Sequence, residues 1–342
     1  MSLRIAINGL GRIGRAFLRH TFTEKPDGVE IVAVNDLGDA ENFAYLLRRD
    51  TVYGPAPFPV SWKEGALIVD GHEVKFISEK DPTKLPWKDL RIDIVVESTG
   101  IFESYEKAKM HLDAGAKRVV ISAPAKGEPP PGVSGAMILV GINEEKLKTC
   151  DISSNASCTT NAASPLIAIL DEKLGIDKAL LNTVHGYTGT QALVDGPAKK
   201  DFLRGRAAAQ NIIPSSTGAA SAIGKVITSL NGKFDGVALR VPVPVGSVAD
   251  ITFIAKRETT VEEVNDILRK AALEPRWKGI FRVSEEPLAS SDIIGDTHAS
   301  IADLSFTRVI GNLVKVFGWY DNETGYSQTL LRHVIETGKH IR

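Results

Sequence analysis

A chain of 342 residues is longer than one hydrophobic core usually supports, so two domains are expected, with interior enough for an enclosed site. With 43% hydrophobic and 24% charged residues the composition excludes a disordered, collagen-like or membrane-embedded chain. Lys and Arg (41) balance Asp and Glu (42), which leaves no overall field to attract nucleic acid or an anionic bilayer, so partners have to be argued from local sites.

The chain opens Met1-Ser2-Leu3-Arg4-Ile5-Ala6, without a basic leader, an apolar signal core or a small-residue cleavage site, and no apolar run is long enough to span a bilayer. A cytoplasmic location and no membrane contact are expected. Leu3 to Ile7 then reads as a buried strand, Arg12 to Phe22 as a helix and Glu30 to Val34 as a β-branched strand. Ile92 to Val96 and Arg118 to Ile121 are two further buried strands, separated by a helical stretch from Ser104 to Ala114. Strands alternating with helices predict a Rossmann-type, doubly wound parallel sheet. Beyond Cys158 the strands lengthen and spread out (Thr183 to Tyr187, Phe234 to Val243, Ala249 to Ile254, Leu313 to Gly318). A Gly/Pro/Ala-rich stretch runs from Asp195 to Ser216, and a helix is read from Thr260 to Ala272. This predicts a second, α+β domain. The last helical segment, Gly325 to Ile341, has no partner of its own and is expected to return to the first domain. The expected division is 1–157, completed by 321–342, for cofactor binding and 158–320 for catalysis.

Gly9-Leu10-Gly11-Arg12-Ile13-Gly14 follows the first strand and opens a helix, and Asp36 lies 22 residues beyond Gly14 at the end of the second strand. The order is that of a dinucleotide fingerprint. Gly9 permits the tight turn, Gly11 lets the backbone approach a pyrophosphate, and Gly14 allows close helix-on-strand packing. The helix start offers unpaired N–H groups and a positive dipole end to the phosphates. Asp36 can accept hydrogen bonds from ribose hydroxyls and repels a 2′-phosphate, so NAD is favoured over NADP.

Cys150 and Cys158 are the only cysteines; no CxxC and no His/Cys cluster at zinc spacing occurs, so neither a disulfide framework nor a metal is expected. Cys158 sits in small polar residues just before an apolar helical segment, where backbone N–H groups lower a thiol pKa and can hold an oxyanion. His185, on a candidate strand of the same domain, is the natural base for it.

The string SNASCTTN (154–161) resembles the active-site signature of glyceraldehyde-3-phosphate dehydrogenases. The resemblance runs along the chain through NGLGRIGR (8–15), SAPAK (122–126), VHGYTGTQ (184–191), NIIPSSTGAA (211–220), LRVP (239–242) and WYDNETGYS (319–327). It implies an NAD-dependent oxidation of glyceraldehyde 3-phosphate to 1,3-bisphosphoglycerate, in glycolysis or gluconeogenesis, through a thiohemiacetal and then a thioester on Cys158, with His185 as base. It further implies a substrate-phosphate site at Thr188 and Arg240, and an inorganic-phosphate site at Ser157, Thr159, Thr217 and Gly218 with Arg204 nearby. For the cofactor it implies Arg12 and Ile13 on the pyrophosphate, Asp36 on the ribose, Lys80 near the adenine, Ser122 along the dinucleotide, Asn322 on the carboxamide and Tyr326 beside the nicotinamide. A homotetramer with 195–216 at subunit contacts is implied as well.

The chain departs from the common pattern at Ala162, where many members carry a second cysteine, at Thr190 for aspartate, at Lys80 for arginine, and at Val243-Pro244-Val245-Gly246. Gly196-Pro197 replaces the Leu-Pro of some strictly NAD-linked members, which leaves NAD preferred and residual NADP use open. Erythrose-4-phosphate dehydrogenase is the nearest competing activity. A cysteine hydrolase would leave the glycine fingerprint without purpose, and an RNA-binding role has no aromatic-interleaved basic patch to support it.

Overall fold

The computed structural model describes residues 2–198 and 201–341; Lys199 and Lys200 of the Asp195 to Ser216 stretch, Met1 and Arg342 lie outside the described residues. The chain divides into two units, Met1–Ala156 with Ser327–Arg342, and Ser157–Tyr326.

The first unit contains β1 (Leu3–Asn8), α1 (Arg12–Glu24), β2 (Val29–Asn35), α2 (Ala40–Arg48), β3 (Arg49–Asp50), β4 (Gly54–Pro55), β5 (Val60–Lys63), β6 (Ala66–Val69) and β7 (His72–Ile77). It continues with β8 (Ile94–Glu97), α3 (Tyr105–Asp113), β9 (Arg118–Ile121), β10 (Gly135–Met137) and β11 (Ile152–Ser154). Among the described residues nine strands form one sheet in the order β10-β11-β9-β8-β1-β2-β7-β6-β5. Strands β10 through β7 in that order pair in parallel, and β6 and β5 add an antiparallel edge. Their near-continuous apolar runs are what a strand covered on both faces requires. The chain leaves β1 for β2 on one side and takes up β8 on the other, so strand order reverses at the C-terminal end of β1, where open α/β sheets bind ligands. Ile5, Ile7, Leu10, Phe17 and Leu18 share their core with Leu330, Leu331 and Val334 of the last helix.

The second unit contains α4 (Cys158–Leu174), β12 (Ile176–Gly186), β13 (Ile213–Ser216), α5 (Ala219–Val226), β14 (Phe234–Val241), β15 (Ser247–Ala255) and α6 (Val261–Ala272). Then follow β16 (Phe281–Ser284), β17 (Ser300–Ile310), β18 (Leu313–Tyr320) and the start of α7 (Thr324–Gly338). Among the described residues its strands run β13-β14-β12-β15-β18-β17-β16, a mixed sheet in which β12 lies parallel to β14 and antiparallel to β15. Helices α4, α5 and α6 pack on the sheet. The side chain of Thr260 caps α6 by accepting from the N–H of Glu263, and Glu262 and Glu263 sit in the positive first turn. The face away from the helices keeps Leu180, Val237 and Leu313 exposed, with Phe306 stacked on Phe317.

Candidate functional site

The glycine turn is built by steric exclusion. Gly9 has φ +100°, and a Cβ there would lie 2.7 Å from the amide nitrogen of Thr99; a Cβ on Gly14 would lie 2.0 Å from the carbonyl oxygen of Gly9. Gly11 caps α1, and the space its Cβ would fill is open, as close approach of a phosphate to the backbone requires. Asp36 accepts hydrogen bonds from the N–H of Leu10 (2.7 Å) and of Gly38 (3.0 Å), so it fastens the glycine turn to the end of β2. The guanidinium of Arg12 is held by Asp50 at 2.5 Å and lies over Tyr53, so what Arg12 and Ile13 present at the helix start is main chain. Ser122 follows β9, its N–H donating to the carbonyl of Glu97, and Lys80 is exposed beyond β7.

In the second unit, Ser157 caps α4, its Oγ accepting from the N–H of Thr160 (3.1 Å), and Cys158 is the first helical residue. The cap is preceded by Ala156 at φ +54°, a strained conformation for a residue with a Cβ. His185 stands near the end of β12, and its Nε2 lies 3.3 Å from Sγ of Cys158. The parallel ladder of β12 and β14 places Arg240 directly beside His185. Nδ1 of His185 is 2.6 Å from the carbonyl oxygen of Gly186 and 2.7 Å from Nη1 of Arg240. A proton on Nδ1 donates to Gly186 and leaves the Nε2 lone pair facing the sulfur; a bare Nδ1 accepts from Arg240 instead.

Sequence reasoning missed Tyr320, because its role depends on a register that only the folded sheet supplies. Its buried hydroxyl bonds to Thr159 Oγ1 (2.8 Å) and Thr183 Oγ1 (2.7 Å), and its ring meets His185 edge-on at 5.8 Å. The residue after the cysteine and the residue two before the histidine are thus tied to one phenol.

Burial pushes the Cys158 thiol above its ordinary range, against the pull of the Arg240 charge and of hydrogen bonds from Thr159 and the helix start. The expected depression of the thiol pKa is therefore overturned in its net direction: the helix-start N–H groups act as predicted, but desolvation of the sulfur outweighs them. Burial, followed by the Arg240 charge, lowers His185 to about 3, so its ring is neutral at physiological pH.

Hydroxyls and guanidinium groups collect further along the unit. Thr188 Oγ1 meets Thr190 Oγ1 at 3.0 Å; Arg204 donates to Ser215 Oγ at 3.0 Å, reaches Thr190 at 3.5 Å and is paired with Asp201. Ser215 and Gln191, which accepts from the N–H of Thr188, were not foreseen; both act through side-chain bonds that a motif does not encode. Thr217 Oγ1 accepts from the N–H of Ala219, and Gly218 caps α5. The hydroxyl of Thr159 points inward onto Tyr320, so the side chain braces Tyr320 from within. Asn322, also in this unit, is buried; its Oδ1 accepts from Ser247 Oγ (3.0 Å) and the N–H of Gly246 (3.2 Å), which fixes its amide nitrogen as the end available to a ligand. Tyr326 is buried at the start of α7.

Family models for known proteins match both units. Residues 3–105 match glyceraldehyde 3-phosphate dehydrogenase, NAD binding domain, and residues 157–322 match glyceraldehyde 3-phosphate dehydrogenase, C-terminal domain. The chain is 48% identical over 347 residues to a protein named glyceraldehyde-3-phosphate dehydrogenase from Mycobacterium avium, covering 100% of both chains. It is 51% identical over 330 residues to one of the same name from Thermotoga maritima, covering 96% of this chain and 97% of that one. A third, from Streptomyces coelicolor, is 46% identical over 344 residues, again covering 100% of each. With the glycine turn at the end of β1 and the Cys158–His185 contact in the second unit, these matches agree in every part of the chain that they cover: it belongs to the glyceraldehyde-3-phosphate dehydrogenase family.

Proposed function

We propose that this chain is the NAD-dependent, phosphorylating glyceraldehyde-3-phosphate dehydrogenase of its organism, with Cys158 as nucleophile and His185 as its base. The 3.3 Å contact between Sγ and a neutral imidazole carries the reading. Loss of the thiol proton to Nε2 lets the sulfur add to the aldehyde carbon, and the imidazolium returns that proton to the carbonyl oxygen, giving a thiohemiacetal; the hydroxyl proton then goes back to the neutral imidazole as hydride departs, giving a thioester. NAD, when bound, supplies the hydride acceptor. Inorganic phosphate attacks the thioester carbonyl, releasing the acyl phosphate and returning the sulfur to its resting state.

Thr188 and Arg240 are assigned to the substrate phosphate, and Ser157, Thr217, Gly218 and Arg204 to inorganic phosphate, hydroxyl and guanidinium groups being suited to its oxygens. Thr159, its hydroxyl engaged by Tyr320, serves the inorganic-phosphate site through its main chain. Gly9, Gly11, Gly14, Arg12 and Ile13 are assigned to the pyrophosphate, Asp36 to the ribose, Lys80 to the adenine, Ser122 along the dinucleotide, and Asn322 and Tyr326 to the nicotinamide. The tight packing at Gly9 and Gly14 and the open space at Gly11 fit a dinucleotide. Cofactor binding is assigned to 1–157 completed by 321–342, and catalysis to 158–320.

A cytoplasmic homotetramer completes the proposal. In the stretch assigned to subunit contacts and just ahead of it, Leu193, Phe202 and Ile212 are exposed, apolar area that another copy would cover. No helix among the described residues is long and apolar enough to cross a membrane. The test is NADH formation with glyceraldehyde 3-phosphate and with erythrose 4-phosphate, each with and without inorganic phosphate. NADH only when triose phosphate and phosphate are both present is expected; a preference for the tetrose, or turnover indifferent to phosphate, would overturn the assignment.

A further inference from the structure

The first unit holds a buried polar tier that the chemistry described so far does not use. Glu97, at the end of β8, is buried and accepts from four donor groups among the described residues. Oε2 accepts from Asn8 Nδ2 (2.6 Å) and His111 Nε2 (3.0 Å), and Oε1 accepts from the N–H (2.8 Å) and the hydroxyl of Thr99. His111, on α3, is fully enclosed, and its Nδ1 lies 3.1 Å from Nε1 of Trp87. An indole nitrogen only donates, so Nδ1 carries the lone pair and the proton must sit on Nε2, aimed at Glu97. On the other side Asn8 accepts from Asn35 Nδ2 (2.7 Å), at the end of β2. The tier therefore crosses the C-terminal ends of β2, β1 and β8, the three strands on which the glycine turn rests.

Two further sets of contacts make the turn and the loop after β8 one mechanical piece. Ser98 Oγ donates to the carbonyl of Gly9 (2.8 Å), and Gly9 packs so closely on Ser98 and Thr99 that no Cβ fits between them. Glu97 grips Thr99 on one side of that contact and Asn8 on the other.

We propose that Glu97, locked by His111 and Trp87, is the positioning residue of the NAD cradle: it sets the backbone of Gly9 and of Thr99 from beneath, so NAD affinity depends on side chains buried in the strand layer under the turn. The inference rests on the reading of this unit as the NAD site. The carboxylate takes four donor groups from three residues; in Glu97→Gln the amide must turn its own N–H groups either on the N–H of Thr99 or on the donors of Asn8 and His111. His111→Leu removes one donor and orphans the Trp87 N–H, whereas His111→Gln keeps a donor near the place of Nε2.

NAD dissociation constants, KM and kcat for the full-length protein and these three variants provide the test, with the alkylation rate of Cys158 by iodoacetamide as an internal control in the second unit. Glu97→Gln and His111→Leu are expected to weaken NAD binding about tenfold or more and to raise KM for NAD with kcat retained, as displaced positioning groups do. His111→Gln recovers most of the affinity, and Cys158 alkylation is unchanged throughout. If Glu97→Gln does not fold, the two His111 variants decide. NAD affinity within about twofold of wild type in folded His111→Leu overturns the proposal, as does equal loss of affinity in His111→Leu and His111→Gln. A wild-type protein that turns over triose phosphate while both variants bind NAD normally sinks this inference alone; a wild-type protein that binds no NAD sinks the cofactor reading with it.

Discussion

Replacing Tyr320 by Phe removes one oxygen and tests whether Cys158 and His185 are held together by that phenol. In the wild type the hydroxyl bonds Thr159 and Thr183, which are 4% and 1% exposed, so no solvent replaces it when it goes. A buried polar group left without its partner costs about 1–3 kcal/mol. Phe keeps the ring and its edge contact with His185, so no cavity is added to this. At about 2–4 °C per kcal/mol for a unit of this size, the transition of the second unit should fall by about 2–12 °C in scanning calorimetry. Thr159 is covalently next to Cys158 and Thr183 lies two residues before His185, so the Sγ–Nε2 distance also loses a restraint, and kcat/KM should drop about tenfold. A melting temperature and a kcat/KM both equal to wild type would refute the reasoning, because the two threonines would then have found other partners at no cost.

Cys158→Ser is expected to bind NAD normally and to lose nearly all turnover, since an alcohol in place of the thiol is a poor nucleophile near neutral pH; undiminished rates would remove Cys158 from the mechanism. Asp36→Ala frees the N–H groups of Leu10 and Gly38 as well as removing a negative charge, so NAD affinity should fall and the NAD/NADP ratio of kcat/KM should narrow. An unaltered ratio counts against the ribose role. His333 is buried between Ser153 and Asn155 and its pKa is lowered from 6.5 to about 4 by burial. Between those values the native state binds fewer protons than the unfolded chain, so the stability from keeping the ring neutral is complete above pH 6.5 and shrinks as pH falls towards 4. Urea midpoints from neutral to acid pH should therefore fall less steeply in His333→Gln; parallel slopes would argue that the ring does not titrate in this range.

Much of the cofactor unit was legible because its signals are local. Strand, Gly-x-Gly-x-x-Gly turn, helix and Asp36 lie in one continuous stretch, and each glycine proves to sit where its missing Cβ matters or where open space is needed. The antiparallel edge formed by β5 and β6 was not legible: Val60–Lys63 and Ala66–Val69 are four-residue strands with charges and glycine around them, too short to carry a period. The longest strand of the second unit besides β12, Ser300–Ile310, was missed for a related reason. Its register shifts between Asp303 and Arg308, which breaks the apolar alternation in the middle.

Cys158 and His185 were readable as residue types in context, but the side chains that hold them together were not. Arg240 stands beside His185 only because β12 and β14 pair in parallel in that register, and Tyr320 reaches Thr159 and Thr183 only because β18 lies next to β15 in the sheet. The thiol pKa went the other way from the local expectation because a helix start is visible in sequence, whereas the burial that outweighs it belongs to the folded unit.

In the proposed mechanism the substrate's acyl group is held on the sulfur of Cys158 before phosphate removes it. Mixing the protein with NAD and glyceraldehyde 3-phosphate in phosphate-free buffer, quenching in acid and mapping the peptides by mass spectrometry tests this directly. The expected result is a phosphoglyceryl thioester on the peptide carrying Cys158, about one per chain, that disappears when inorganic phosphate is added before the quench. An adduct on Cys150 instead, or NADH formed at full rate with no acyl group on either cysteine, would contradict it.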